Sequence, residues 1–264
     1  MSSSNPSSDK DVDWHVQTFA SLESTQSFLK DLLRTEKLIE GTVIQSLVQT
    51  KGLGRRGGEW DSPMGNLYMS FLLRPDCGFQ DAAQLSFVIA LAIRGALSEV
   101  LKDQKDVQLK WPNDILIEGK KIAGILIEAD TDKNNQLNGI IVGTGINIMF
   151  ATIENAAFLK EYDCAMPGDD RPVAIHPFRD LVLKHVSAQY RNWQEKGFAD
   201  IRKQWLSHGY GMGEKITANL QNGAQSGIFD DIDDNGALIL KQEDGKKIAI
   251  HAADVYFDQA ANKK

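Results

Sequence analysis

The sequence predicts an α/β fold of the α+β type: a mixed, largely antiparallel sheet with helices packed on it, followed by a small all-β module. Three observations carry this. Strand-like runs between residues 107 and 129 are separated by tight turns rather than by helices, which gives consecutive hairpins. From Gln80 to Lys102, Leu85, Val88, Ile89, Ala92, Ile93, Ala96, Leu97 and Val100 recur at spacings of three and four, dense enough for a helix buried on most sides. Near Gly211 and Gly213 the texture changes to short strands with turn signals at Asn222-Gly223, Asn235-Gly236 and Asp244-Gly245. The expected division is a disordered tail over 1–13, a larger unit over 14–212 and the β module over 213–264.

Taken in order, "STQSFLKDLL" begins with helix-capping hydroxyls at Ser24 and Thr25 and places Phe28, Leu29, Leu32 and Leu33 on one face, so it predicts an amphipathic helix. "GTVIQSLVQT" (41–50) and "NLYMSFLL" (66–73) are rich in strand formers. "VQLKWP" and "DILIEGKKIAGILIEA" make a hairpin around Glu118-Gly119, and "QLNGIIVGTGINIMF" supplies a further strand. Residues 151–174 have no clear period and are expected to form a long loop. His176 to Lys196 is a helix with Pro177 in its first turn, continued through 207.

A hydrophobic share of 42% with 25% charged residues fits an ordinary globular core. The net charge of −7 argues against general binding to nucleic acid or anionic membranes, while leaving room for a local basic site. Cys77 and Cys164 are too few for a disulfide framework and sit in no metal-type cluster, which points to a reducing cytoplasm. The Ser- and Asn-rich start has no apolar core, so it does not read as a signal peptide. The most apolar window, "LSFVIALAI", ends at Arg94, short of the roughly 20 residues of a membrane span.

Gly52-Leu53-Gly54-Arg55-Arg56-Gly57 has the spacing of a dinucleotide-binding loop, but the context excludes that reading. Gly58, Pro63 and Gly65 follow where a helix is required, and no acidic residue ends a following strand at the right distance. What remains is a strand–loop–strand with two guanidinium groups at its tip. Glycines admit an anion close to backbone N–H groups, and arginines bind phosphate or carboxylate through paired hydrogen bonds. A specific anion site and a solvated basic turn stand close to even on composition. In a second cluster, Lys110 precedes a Trp111-Pro112-Asn113-Asp114 turn, and Lys121 opens the strand that holds Gly124. A glycine inside a strand marks a bulge or a close approach. In a third, "GTGIN", two glycines leave room for a ligand and Asn147 offers both donor and acceptor.

Together "ST" at 24–25, "GLGRRGGEW", "KWPND", "GKKIAGILIE" and "GTGIN", in this order, resemble biotin protein ligases, from about Leu22 to Asn147 and more weakly beyond. The resemblance implies a class II synthetase-like catalytic domain and a C-terminal SH3-like barrel. It also implies the reaction. Biotin and MgATP give biotinyl-5′-AMP and pyrophosphate; a lysine of a biotin carboxyl carrier protein then attacks the mixed anhydride and expels AMP. ATP with Mg²⁺ and biotin enter as substrates, and no tightly bound prosthetic group is implied. Relatives suggest a homodimer through a sheet edge.

The same resemblance assigns residues. Ser24 and Thr25 hydrogen-bond the ureido ring of biotin, Gln49 also faces biotin, and Gln26, standing where the family usually has Asn, belongs to the same biotin side. Gly52, Leu53, Gly54 and Arg55 form a loop closing over biotin and adenylate, with Arg55 as clamp. Arg56, Trp60, Lys110, Asn113, Asp114 and Asn147 belong to the ATP side, Asp114 holding Mg²⁺ or the incoming amine. Lys121 contacts carboxylate and α-phosphate oxygens, and Gly124 lets the ureido group meet backbone. Leu53 and Gly58 replace basic residues of the family, and Phe158 and Tyr162 have no matched role as an adenine-stacking aromatic. With about a dozen residues ahead of the catalytic body, no DNA-reading domain and no repressor activity is expected. The rival readings are a lipoate or octanoate ligase of the same architecture, which needs an apolar pocket in place of polar groups, and a non-catalytic biotin or nucleotide sensor.

Overall fold

The computed structural model describes residues 11–257 apart from 79, 80, 104, 132, 133, 135, 155, 169, 170, 221, 222 and 252. Positions 1–10 of the expected tail, Gln80 and Asn222 therefore lie outside the described residues. Seven strands build the larger unit: β1 (His15–Phe19), β2 (Thr42–Ser46), β3 (Leu67–Leu73), β4 (Val107–Lys110), β5 (Asp114–Ile117), β6 (Lys120–Thr131) and β7 (Leu137–Ile146). They form one sheet in the order β1-β2-β3-β7-β6-β5-β4. The β1–β2 pair is parallel and the other pairs are antiparallel, so the sheet is mixed and largely antiparallel as expected.

Alternation along the strands sends successive side chains to opposite faces. One face carries α1 (Thr25–Thr35), whose Leu29 and Leu33 pack on Ile44, Leu72 and Ile141. Ser24 caps this helix, its hydroxyl accepting from the Ser27 N–H at 3.4 Å. The other face carries α2 (Leu85–Val100) and α3 (Ile175–Lys196), packed on Val43, Met69, Phe71, Ile125 and Val142. The helical stretch Asp81–Val100 is long and apolar enough to cross a membrane by length and composition, but 67% of that window is buried inside the fold, as a core helix. The chain does not run straight from α3 into α4 (Phe198–Leu206). Gly197, at φ 75°, breaks the helix between them.

The C-terminal module has β8 (Lys215–Leu220), β9 (Gly223–Ile232), β10 (Leu238–Lys241), β11 (Lys247–Ile250) and β12 (Asp254–Phe257), antiparallel in the order β11-β10-β9-β8-β12. It is tied to the larger unit by aromatic and polar contacts. Phe87 of α2 meets Phe198 and Trp205 edge-on at 5.3 and 5.4 Å, and Trp205 meets Phe229 at 6.5 Å. Arg202 pairs with Asp231 at 2.6 Å. Trp111, buried in the turn between β4 and β5, donates from Nε1 to the Gly236 carbonyl at 3.0 Å. Trp111→Phe removes that donor and part of the packed ring, so we expect a loss of about 1–3 kcal/mol of stability in denaturant unfolding.

Candidate functional site

The face carrying α1 has a dent in the middle of the sheet. The register aligns Ser46, Tyr68, Gly145, Gly124 and Asp114 in one row across β2, β3, β7, β6 and β5. Two residues along the strands, Ile44, Ser70, Gly143 and Leu126 form the next row. The glycines leave those positions without side chains, and other groups enter the space. A Cβ on Gly145 would stand 2.5 Å from the Trp60 indole, and one on Gly124 2.8 Å from it. A Cβ on Gly143 would stand 2.6 Å from Gln26 Oε1. At these glycines the space against the backbone is taken by the Trp60 indole and the Gln26 amide, which the missing side chains admit. Gly145→Ala pushes a methyl into a rigid indole; we expect about 1–3 kcal/mol of destabilisation, read by chemical denaturation.

A cavity of about 290 Å³ opens above this dent. Of the residues singled out in the sequence, Thr25, Gln26, Gln49, Leu53, Gly54, Arg55, Trp60, Lys110, Asn113, Asp114, Lys121 and Gly124 line it. Ser24, Gly52, Arg56 and Asn147 do not. Ser24 caps α1. Gly52 is buried in the loop, its carbonyl accepting from the Trp60 N–H at 2.9 Å. Arg56 is exposed in a left-handed turn, φ 53°. Asn147 donates from Nδ2 to the Ala157 carbonyl at 3.0 Å and so holds the loop after β7. Phe158 and Tyr162 also lie off the cavity. Ser70, Gly143, Thr144 and Gly145 line it, as do Val255 and Tyr256 of β12, so the C-terminal module contributes to the rim.

The cavity has two chemically distinct ends. At one, Arg55, Lys110 and Lys121 stand with Asp114, the one carboxylate among the described lining residues. Lys121 Nζ lies 2.7 Å from Asp114 Oδ1 and 5.1 Å from the centroid of the Trp60 ring. Arg55 sits in a 3-10 turn, Arg55–Gly57, and donates from Nη1 to Asn113 Oδ1 at 3.3 Å, joining the glycine loop to the turn after β4. Asn113 is fixed in turn, donating from Nδ2 to the Ile125 carbonyl at 2.7 Å. The loop is closed by its own backbone, Gly54 N–H to Gly58 O at 2.7 Å and Gly58 N–H to Arg55 O at 2.9 Å. Cationic side chains gathered in a walled cleft, on a chain of net charge −7, have the chemistry that suits an anion such as a polyphosphate.

The other end is neutral and polar. Gln49 Oε1 accepts from the Thr25 N–H at 2.8 Å and from Thr25 Oγ1 at 3.1 Å. Thr25 Oγ1 lies 2.9 Å from Ser70 Oγ, which donates to Gln26 Oε1 at 3.0 Å. Gln26 Nε2 donates to Glu128 Oε2 at 2.9 Å, and Lys30 holds the other oxygen of Glu128 at 2.8 Å. Burial works to raise the Glu128 carboxyl, but the hydrogen bonds from Lys30 and Gln26 and the nearby Lys30 charge hold it below the ordinary value. On the far side, Gln49 Nε2 donates to Ser62 Oγ at 2.8 Å, and Ser62 donates to the Trp60 carbonyl at 2.8 Å, which connects this end to the glycine loop. The Trp60 indole N–H is buried with no acceptor among the described residues. Tyr68, in the Gly145 row, is pushed up to about 12 by burial and stays a neutral hydroxyl, donating to the Pro63 carbonyl at 2.9 Å.

Residues 18–147 match the Biotin/lipoate A/B protein ligase family, and residues 211–258 match the Biotin protein ligase C terminal domain. A biotin–[acetyl-CoA-carboxylase] ligase of Paracoccus denitrificans is 38% identical over 79% of this chain and 87% of its own length. The bifunctional ligase/repressor BirA of Bacillus subtilis is 34% identical over 89% of this chain and 71% of its own length. Among solved structures, biotin protein ligase from Aquifex aeolicus in complex with biotin and ATP superposes with a TM-score of 0.77 at 30% identity, covering 92% of this chain and 99% of that one.

Proposed function

The chain belongs to the biotin/lipoate A/B protein ligase family, and from that premise we infer that it is an ATP-dependent ligase joining biotin to a lysine of a biotin carboxyl carrier protein. The reaction passes through biotinyl-5′-AMP. The observation that carries the reading is the two-ended cavity: a cationic end suited to phosphates and a neutral hydroxyl–amide end suited to a cyclic urea. That second end is also what favours biotin over lipoate, whose dithiolane ring offers no N–H or C=O.

In the first step a biotin carboxylate oxygen attacks the α-phosphorus of ATP and the bond to the bridging oxygen breaks, releasing pyrophosphate. Negative charge accumulates on phosphorus oxygens, and Lys121 and Arg55 offset it. Lys110 supports them through the field of the cleft. In the second step the carrier amine forms the C–N bond, the acyl–phosphate C–O bond breaks and AMP leaves. The amine sheds its proton to solvent water as it attacks, and Asp114, the one carboxylate among the described residues that line the cavity, is the group we assign to orient it. Asp114 already carries the Lys121 pair. Mg²⁺ therefore enters with ATP, as the MgATP substrate, and its ligands are chiefly phosphate and water. Water must be kept from the mixed anhydride, which is the task of the loop over 52–60.

The natural partner is a carrier domain in the cytoplasm, and a homodimer through a sheet edge is part of the same proposal. Pyrophosphate release dependent on both biotin and MgATP, with lipoate as control, tests the function. Release with lipoate and none with biotin would replace this reading by the lipoate one; none with either, despite binding, would leave a sensor.

A further inference from the structure

The polar end of the cavity is short of one proton. The Gln49 amide is fixed with its oxygen toward Thr25, because the Thr25 backbone N–H can only donate to it. The Gln26 amide is fixed with its oxygen toward Ser70, because its Nε2 faces two groups that only accept, the Glu128 carboxylate and the Ile141 carbonyl. Between these two acceptor oxygens stand the Thr25 and Ser70 hydroxyls, giving three oxygen–oxygen contacts of 3.1, 2.9 and 3.0 Å with only two hydroxyl protons to fill them. With each proton drawn outward to an amide oxygen, the hydroxyl pair has unfilled lone pairs. Both residues line the cavity. Such a wall favours a ligand that brings an N–H, and a cyclic urea does so.

We propose that Glu128 is a positioning residue for ring recognition: by holding the Gln26 amide in one orientation it keeps the Thr25–Ser70 pair an acceptor for a ligand N–H. It does not itself line the cavity. Its other oxygen is anchored by Lys30, and Gly143 leaves the space that Gln26 Oε1 occupies. This rests on the ligase reading above and names a residue through which biotin is selected.

Glu128→Gln keeps the shape, but Lys30 retains its oxygen and its amide N–H then faces Gln26, so the Gln26 amide turns against only the longer, 3.3 Å contact with the Ile141 carbonyl. Its Nε2 then supplies the missing proton to Ser70, and the hydroxyl pair no longer needs a ligand N–H. In steady-state pyrophosphate release we expect the KM for biotin to rise about tenfold, as for a lost ligand hydrogen bond, with kcat and the KM for ATP within about twofold. Desthiobiotin, which keeps the cyclic urea, shifts by the same factor. Lys30→Met removes the ion pair but leaves the Gln26–Glu128 bond, so its biotin KM stays within about twofold of wild type. An unchanged biotin KM in Glu128→Gln overturns the role. So does a parallel fall in kcat and ATP affinity, or an equal effect of Lys30→Met, either of which marks a merely structural ion pair. Absence of biotin-dependent release in the wild type overturns the ligase reading itself, and with it the ligand assigned here.

Discussion

Lys121→Ala is expected to lower biotin-dependent pyrophosphate release by about a thousandfold, the upper end of what removing one preorganised charge stabiliser costs. Two effects act together. The ammonium that meets the charge developing on phosphorus is gone, and Asp114, 2.7 Å away in the wild type, loses that ion-pair partner beside a polyphosphate. Stability changes little, by about 1 kcal/mol or less, because the pair is partly solvated, with side chains 30% and 22% exposed. Binding of biotin alone, followed by calorimetry, should weaken far less than turnover. Release within tenfold of wild type would remove Lys121 from the chemistry. A further substitution, Asp114→Asn in the Lys121→Ala background, should recover part of the ATP affinity, since it withdraws the carboxylate charge.

The same residues show why some of this site could be read in the sequence. Lys121, Gly124 and the Trp-Pro-Asn-Asp turn are contiguous on either side of one hairpin, so local pattern is enough to bring them together. The hairpins, the buried helix and the change of texture near Gly211 were legible for the same reason. β1 was not. It is a five-residue edge strand, "HVQTF", with no buried position, and its parallel partner lies across α1. The break at Gly197 was missed because helical periodicity on both sides hides a single residue at φ 75°.

Ser70 and Glu128 escaped for a different reason. Each contributes through partners far along the chain: Ser70 to Gln26 and Thr25, Glu128 to Gln26 and Lys30. A signal did exist for Ser70, a lone hydroxyl in the apolar run "LYMSFLL" that is fully buried. Buried polar side chains need partners, so such a residue asks for a network. Ser24 and Asn147 stand just outside the cavity lining, where Ser24 Oγ accepts the capping bond of α1 and Asn147 Nδ2 donates to the Ala157 carbonyl.

Arg55→Gly should separate the two steps of the reaction. Lys121 remains, so adenylation is expected to persist at reduced rate, about ten- to hundredfold below wild type. What fails is retention. Arg55 is the link seen between the glycine loop and the turn at Asn113, and a glycine in its place removes that link and adds backbone freedom to a loop already bordered by Gly54, Gly57 and Gly58. A lid so loosened opens before the carrier amine arrives, and the reactive adenylate escapes. Free biotinyl-AMP in filtrates, and biotin on lysines of an added bystander protein such as albumin, should both rise while carrier labelling falls. If adenylation persists and bystander labelling does not rise, Arg55 is a charge stabiliser alone and the loop is held by other contacts. The Trp60 carbonyl bond to Ser62 and the backbone bonds of residues 52–60 are then the candidates, since they fasten the loop to Gln49 and the ring end independently of any guanidinium.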